Sequence, residues 1–278
     1  MLSKPKLKLI RSLELKKNRQ SEGLFVAEGP KVVGDLLPYF TPRFIVATRT
    51  WLERGTVPAH TEIIEVTDDE LAKASFLKTP QEVLVVFEFS NQQVNKSTSQ
   101  QVATELTLVL DDVQDPGNLG TIIRTADWFG IRQIICSQGT ADAFSPKVVQ
   151  ATMGSIARVR VFYTNLPSFL AELPKGTPIY GTFLEGANIY QHPLSPNGLI
   201  IMGNEGNGIS PAVSRFVTEK LFIPPYPADV ITDGAARAKE LAHFAESQRT
   251  KAKPTGESLN VAIATAITCA EFRRRVFQ

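Results

Sequence analysis

The chain has 278 residues, 43% of them hydrophobic and 21% charged, an ordinary globular composition with room for two domains. No apolar run approaches the roughly 18 residues of a membrane span, and the basic start MLSKPKLKLIRSLELKKNR lacks an apolar segment of signal-peptide length, so a cytoplasmic protein without membrane contact is expected. With two cysteines, Cys136 and Cys269, and three scattered histidines, neither a disulfide framework nor a metal site is expected.

In chain order, helical patterns near 5–16, 29–38 and 67–75 alternate with strands at 44–48 and 62–66 and end in the β-branched strand 83–89. These make a small α/β domain over residues 1–90. The following SNQQVNKSTSQQVAT has no periodicity and no large apolar anchor, which predicts a linker over 91–104. Strands at 106–111, 132–136, 159–163, 178–182, 198–203 and 220–223 then alternate with helices at 118–129, from Ser145-Pro146, at 166–172 and at 210–216. Strands joined by helical crossovers predict a second α/β domain over 105–278, built on a mostly parallel sheet whose ligands bind beyond the strands' carboxyl ends.

The net charge of +2 is unevenly spread, since residues 1–20 carry a net of +6 and the remaining 258 a net of −4. Lys4, Lys6, Lys8, Arg11, Lys16, Lys17 and Arg19 are therefore candidate phosphate contacts, with a second cluster at Arg273, Arg274 and Arg275. Charge alone describes a solvated helix end equally well.

Three stretches carry chemistry. In Asp115-Pro116-Gly117-Asn118-Leu119-Gly120 a turn opens a helix that Asn118 is placed to cap, and Arg124 follows six residues later, where its planar fork suits phosphate or carboxylate. In Gly203-Asn204-Glu205-Gly206-Asn207-Gly208 an apolar strand runs into three glycines, which fits either a close-approaching ligand or a tight turn. In Ser258-Leu259-Asn260-Val261-Ala262 a polar start leads into a helix apolar nearly all round, predicting burial, with Asn260 needing partners for its amide.

Taken together these stretches resemble the three motifs of the SpoU family of RNA methyltransferases, also called the TrmH family. The resemblance rests on Asn118, Gly120 and Arg124, on Gly203 to Gly208, and on Ile223-Pro224 with Ser258-Leu259-Asn260-Val261-Ala262. Residues 1–90, with Phe25-Val26-Ala27-Glu28-Gly29, are similar to the small RNA-binding domain that many members carry. The resemblance implies a trefoil-knotted α/β domain, a homodimer and S-adenosylmethionine as cofactor, held around Thr182, Gly203, Asn204, Gly208, Ile223 and Leu259. It further implies that Arg124 acts at a target ribose, with Asn118, Glu205, Ser258 and Asn260 building the catalytic surroundings. The expected activity is methyl transfer to a ribose 2'-hydroxyl of a structured RNA, ribosomal RNA ahead of transfer RNA. A non-catalytic RNA-binding protein that kept the fold is the alternative. One departure from the family pattern stands out: residues 225–257 intervene between Ile223-Pro224 and Ser258, which fits a lid over the cofactor, an added RNA contact through Arg249, Lys251 and Lys253, or a surface bulge that leaves the site intact, the last being the favoured expectation.

Overall fold

The computed structural model describes residues 1–54, 57–89, 102, 104–225 and 258–274. Most of the expected linker, the 226–257 part of the inserted stretch with Arg249, Lys251 and Lys253, and Arg275 lie outside the described residues.

The first domain runs α1 (Lys4–Ser12), α2 (Lys16–Glu22), β1 (Leu24–Glu28), α3 (Pro30–Leu36), β2 (Pro42–Ala47), α4 (Arg49–Leu52), β3 (Glu62–Glu65), α5 (Asp68–Ala74) and β4 (Val83–Glu88). Its sheet has the order β1-β4-β2-β3, antiparallel except for the β2–β3 pair. Local signals are strong here. Thr67 and Glu70 form a reciprocal capping box at the start of α5, and Gly23 closes α2 in the left-handed conformation at φ +65°. The single helix expected over 5–16 is instead two, because Leu15 is extended. The carbonyls opened by this break accept from side chains: Asn18 Nδ2 donates to Ser12 O, and Arg19 Nη1 donates to Leu13 O and Glu14 O. The Phe25-Val26-Ala27-Glu28 segment forms β1, a strand buried along its whole length.

The second domain runs β5 (Leu106–Leu110), α6 (Pro116–Trp128), β6 (Gln133–Cys136), α7 (Pro146–Thr152), a 3₁₀ turn (Ser155–Ala157), β7 (Arg160–Tyr163) and α8 (Leu166–Ala171). It continues with β8 (Ile179–Phe183), β9 (Ala187–Asn188), β10 (Gly198–Met202), α9 (Pro211–Ser214), β11 (Glu219–Phe222) and α10 (Val261–Arg274). The sheet order is β7-β6-β5-β10-β8-β11-β9, and every described pairing is parallel, as expected. The chain moves outward from β5 to β7 and then resumes on the other side of β5, so β5 and β10 flank the switch point where such sheets bind ligands.

Strands β5, β6 and β10 are buried throughout, which follows from cover on both faces. Leu108, Leu110, Ile200 and Met202 pack toward α6, α7 and α10, whereas Val109, Leu199 and Ile201 pack toward α8 and α9. Gly120 lets α6 and α7 approach closely, since a Cβ there would lie 2.4 Å from Ala151 Cβ. Val102, inside the expected linker, is fully buried with Val109, Leu199 and Ile201 on the α8 and α9 side of the sheet.

The two domains share a core. Phe144 of the second domain lies 4.9 Å from the Phe25 ring and stacks on Phe89 at 4.4 Å. Beside these rings Arg19 pairs with Asp142, donating through Nε at 3.1 Å and through Nη2 at 2.5 Å.

Candidate functional site

The site grows from the carboxyl ends of β5 and β10. After β5 the chain turns through Asp112, held at φ +62°, and Asp115 begins α6. Asp115, not Asn118, is the N-cap: its Oδ1 accepts from Asn118 N at 2.8 Å. Three residues into the helix, Asn118 thus has its side chain free for tertiary partners. Asn118 Nδ2 donates to Glu205 Oε1 at 2.7 Å.

Glu205 lies on the loop after β10. Asn204 shapes that loop: its Oδ1 accepts from Gly206 N at 2.9 Å and Asn207 N at 3.1 Å, while its Nδ2 donates to Asp112 O at 2.8 Å. The backbones of Asn204 and Gly208 exchange two hydrogen bonds, at 3.0 and 2.8 Å. Gly203 is required by this closure, because a Cβ there would fall 2.3 Å from the Gly208 carbonyl carbon. The nearly buried Asp111 completes the support, with Oδ2 accepting from Ser210 N at 2.8 Å. The glycine stretch is therefore a tight turn as well as a wall. Asp111 and Asp112 escaped the sequence reading; their only signal was their place at the end of a buried strand.

The third stretch closes the cluster. Asn260 is exposed, contrary to the expected burial, and caps α10 through Oδ1, which accepts from Ala262 N at 3.0 Å and Ile263 N at 3.3 Å. The helix accordingly begins at Val261 and not at Ser258. Asn260 Nδ2 donates to Glu205 Oε1 at 2.8 Å and to Asn118 Oδ1 at 2.9 Å, and Val261 N reaches Glu205 Oε1 at 3.4 Å. Ser258 Oγ stands 3.5 Å from Glu205 O. Glu205 Oε1 therefore accepts three N–H groups, while Oε2 has no partner among the described residues. The expected all-round burial of α10 is also corrected, for Ile263 is 54% exposed.

Beside this cluster opens a cavity of about 610 Å³. Thr182, Gly203, Asn204, Gly208, Ile223 and Leu259 all line it, as do Glu205 and Ser258. Met202, Ile209, Val261 and Ala264 give it apolar walls, suited to an adenine ring and a thioether chain between turns that bring main chain close.

Arg124 is not in the cluster. It is exposed on α6, about 9 Å along the axis from Asn118 at 1.5 Å per residue, and makes no hydrogen bond or ion pair among the described residues. Thr121, Arg124 and Trp128 form one exposed stripe, with Trp128 85% exposed.

The basic front divides on inspection. Arg19 is 2% exposed and committed to Asp142, Leu13 and Glu14, so it cannot meet a phosphate. Lys6 pairs with Glu62, Arg11 donates to Ser75 O at 2.8 Å and lies over Phe76, and Lys16 lies over Tyr163. Lys4, Lys8 and Lys17 are exposed without an ion pair among the described residues. Among those residues no acidic, histidine or cysteine cluster could hold a metal, and no helix is long and apolar enough to cross a membrane.

Fold and site together define an α/β ligand-binding domain, with its cavity at the carboxyl ends of β8, β10 and β11, beside the switch point, and a carboxylate–amide cluster at the cavity's edge. Residues 105–228 match the SpoU rRNA Methylase family, and residues 4–85 match the MRM3-like substrate binding domain. The 23S rRNA (guanosine(2553)-2'-O)-methyltransferase RlmP of Bacillus subtilis is 31% identical over 272 residues, 96% of each chain. A protein assigned to the TrmH family of RNA methyltransferases from Porphyromonas gingivalis is 40% identical with a TM-score of 0.80, covering 99% of both chains. An AdoMet-bound rRNA methyltransferase from Sinorhizobium meliloti is 30% identical with a TM-score of 0.78, covering 100% of this chain and 97% of that one. The chain belongs to the SpoU/TrmH family of RNA methyltransferases.

Proposed function

We infer that the protein transfers the methyl group of S-adenosylmethionine to a ribose 2'-hydroxyl of ribosomal RNA. The observation that carries this is the Asn118–Glu205–Asn260 cluster at the edge of the apolar cavity. The cofactor, when bound, supplies an electrophilic methyl on a sulfonium that is its own leaving group. The chain's residues then have two tasks: to align the hydroxyl with that methyl, and to dispose of its proton as the C–O bond forms and the C–S bond breaks.

Thr182, Gly203, Asn204, Gly208, Ile223 and Leu259 would hold the cofactor, while Asn118, Glu205, Ser258 and Asn260 set the edge against which the ribose rests. Glu205 Oε1 is occupied by three donors, so Oε2, or a phosphate of the RNA, is the atom left to take the proton. A guanidinium is a poor proton acceptor, so Arg124 is not the base. Its role is to orient the target and stabilise charge developing on the ribose oxygen. Lys4, Lys8 and Lys17 supply the phosphate contacts of the first domain. The protein works as a homodimer, and the exposed Trp128 and Ile263 on the packed helices α6 and α10 offer an apolar face for the second copy.

The test is calorimetric titration with S-adenosylmethionine, followed by transfer of labelled methyl to purified ribosomal and transfer RNA with mapping of 2'-O-methyl positions. Binding at one site per chain with ribose methylation of ribosomal RNA is expected. Methylation of transfer RNA alone would replace the substrate. RNA binding with no transfer to either would favour the non-catalytic reading.

A further inference from the structure

At the sheet edge opposite the cofactor cavity, a cleft of about 630 Å³ separates the two domains. One wall is β7. The other comprises α2, the turn between α3 and β2, and the end of β4. Nothing in the methyl-transfer site uses it.

Three features define what the cleft can hold. First, β7 is an outer strand. Arg160 N and Thr164 N donate to Arg132 O at 2.9 Å and Cys136 O at 3.0 Å, so the alternate residue, Val161, turns its N–H and C=O away from β6 and into the cleft. Second, Tyr39 lines the cleft with a ring that is 57% exposed and stacks on no other ring among the described residues. Third, the cleft's acids are already neutralised, Asp142 by Arg19 and Glu88 by Arg43, while Lys16 and Arg160 line it and Lys17, without an ion pair among the described residues, adjoins it on α2. A stacking ring, an adjacent donor and acceptor, and a positive rim continuous with the basic helices together suit an unstacked base on a phosphate backbone.

We propose that this interdomain cleft is a nucleobase pocket, which takes one splayed-out base of the RNA substrate against Tyr39 while the Val161 peptide bonds its hydrogen-bonding edge. The inference rests on the RNA substrate proposed above and adds a recognition site distant from the methylated ribose. Each base carries a neighbouring donor and acceptor, so the pocket grips a single-stranded nucleotide whatever its identity, and the surrounding RNA shape chooses which one.

The experiment uses the full chain, fluorescein-labelled single-stranded oligoribonucleotides and ribosomal RNA. Tyr39→Ala should weaken oligonucleotide binding by about tenfold in fluorescence anisotropy, the scale of one lost stacking contact. Val161→Pro removes an outward-facing N–H of an edge strand, a position where proline is tolerated, and trims a side chain that packs against the core, so it should weaken binding with only a small drop in melting temperature. Both variants should bind S-adenosylmethionine as the wild type does and raise KM for RNA with kcat retained. Photocrosslinking with 4-thiouridine RNA should mark the peptides carrying Tyr39 or Val161. Should Val161→Pro fail to fold, Tyr39→Ala and the crosslink decide alone. Wild-type affinity in Tyr39→Ala with crosslinks confined to α1 and α2 would overturn the pocket and leave the methyltransferase reading intact. A protein strand adding to β7, seen as a peptide crosslinked at Val161 where RNA is not, would overturn it in favour of a protein partner. If the wild type binds and methylates no RNA, the reading beneath it falls too.

Discussion

Arg19 and Glu205 are both charged side chains that gather several hydrogen bonds, and they do opposite jobs. Arg19 is buried, with its donors spent on Asp142 and on the carbonyls left open where α1 breaks from α2. Glu205 is exposed, with one oxygen saturated by Asn118, Asn260 and Val261 and the other open toward solvent. A charge whose hydrogen-bonding capacity is exhausted inside the protein is architecture. A charge held rigid with capacity to spare can act on something else.

The sharpest way to break this contrast is Arg19→Ala, which leaves the Asp142 carboxylate and two carbonyls without their partner. It should cost roughly 3–5 kcal/mol of unfolding free energy in urea denaturation, while cofactor affinity in the surviving folded protein is unchanged. Glu205→Ala should do the reverse, lowering kcat by roughly 10²- to 10³-fold with a melting temperature close to wild type. Equal stability losses in the two variants would erase the distinction. Arg124→Lys sharpens it further, since a point charge without the planar fork should lower kcat by roughly tenfold or more, and near-full turnover would sink the fork-specific role. Gly203→Ala forces the turn at Gly208 to shift and should weaken cofactor binding by roughly tenfold in calorimetry.

The smallest effect concerns Glu28. Burial pushes its carboxyl above the usual range, partly offset by hydrogen bonds from Ser75 and Phe76 N and by the nearby Arg11 charge. A raised carboxyl means the folded state holds the proton more tightly than the unfolded chain. Glu28 thus contributes stability that is full below pH 4.5 and lost as pH rises through its folded value. Glu28→Gln should flatten the decline in melting temperature across that window, and an unchanged pH profile would count against it.

The order of strands and helices was legible in the second domain, which alternates apolar runs with capped helices, whereas β1 and α4 of the first domain were not read from the sequence; the three motifs delivered the residues that gather at Glu205. What escaped depended on partners distant in sequence. Asp115 and Asn118 are both competent caps, but Asp115 takes that role and Asn118 spends its amide on Glu205, 87 residues away. Arg19 looked like any other cation of the basic front until Asp142, 123 residues on, folded against it. The two-residue β9 is too short for any pattern.

The shared core and the Arg19–Asp142 pair have a consequence for substrate choice. A small domain on a free tether could grip RNA at many separations from the point of modification. Locked through Phe25, Phe89 and Phe144, it behaves as a caliper set to one opening. The enzyme would then select its nucleotide partly by measuring the span between a held part of the RNA and the modified ribose, so that lengthening a stem by one base pair could be as damaging as changing the target.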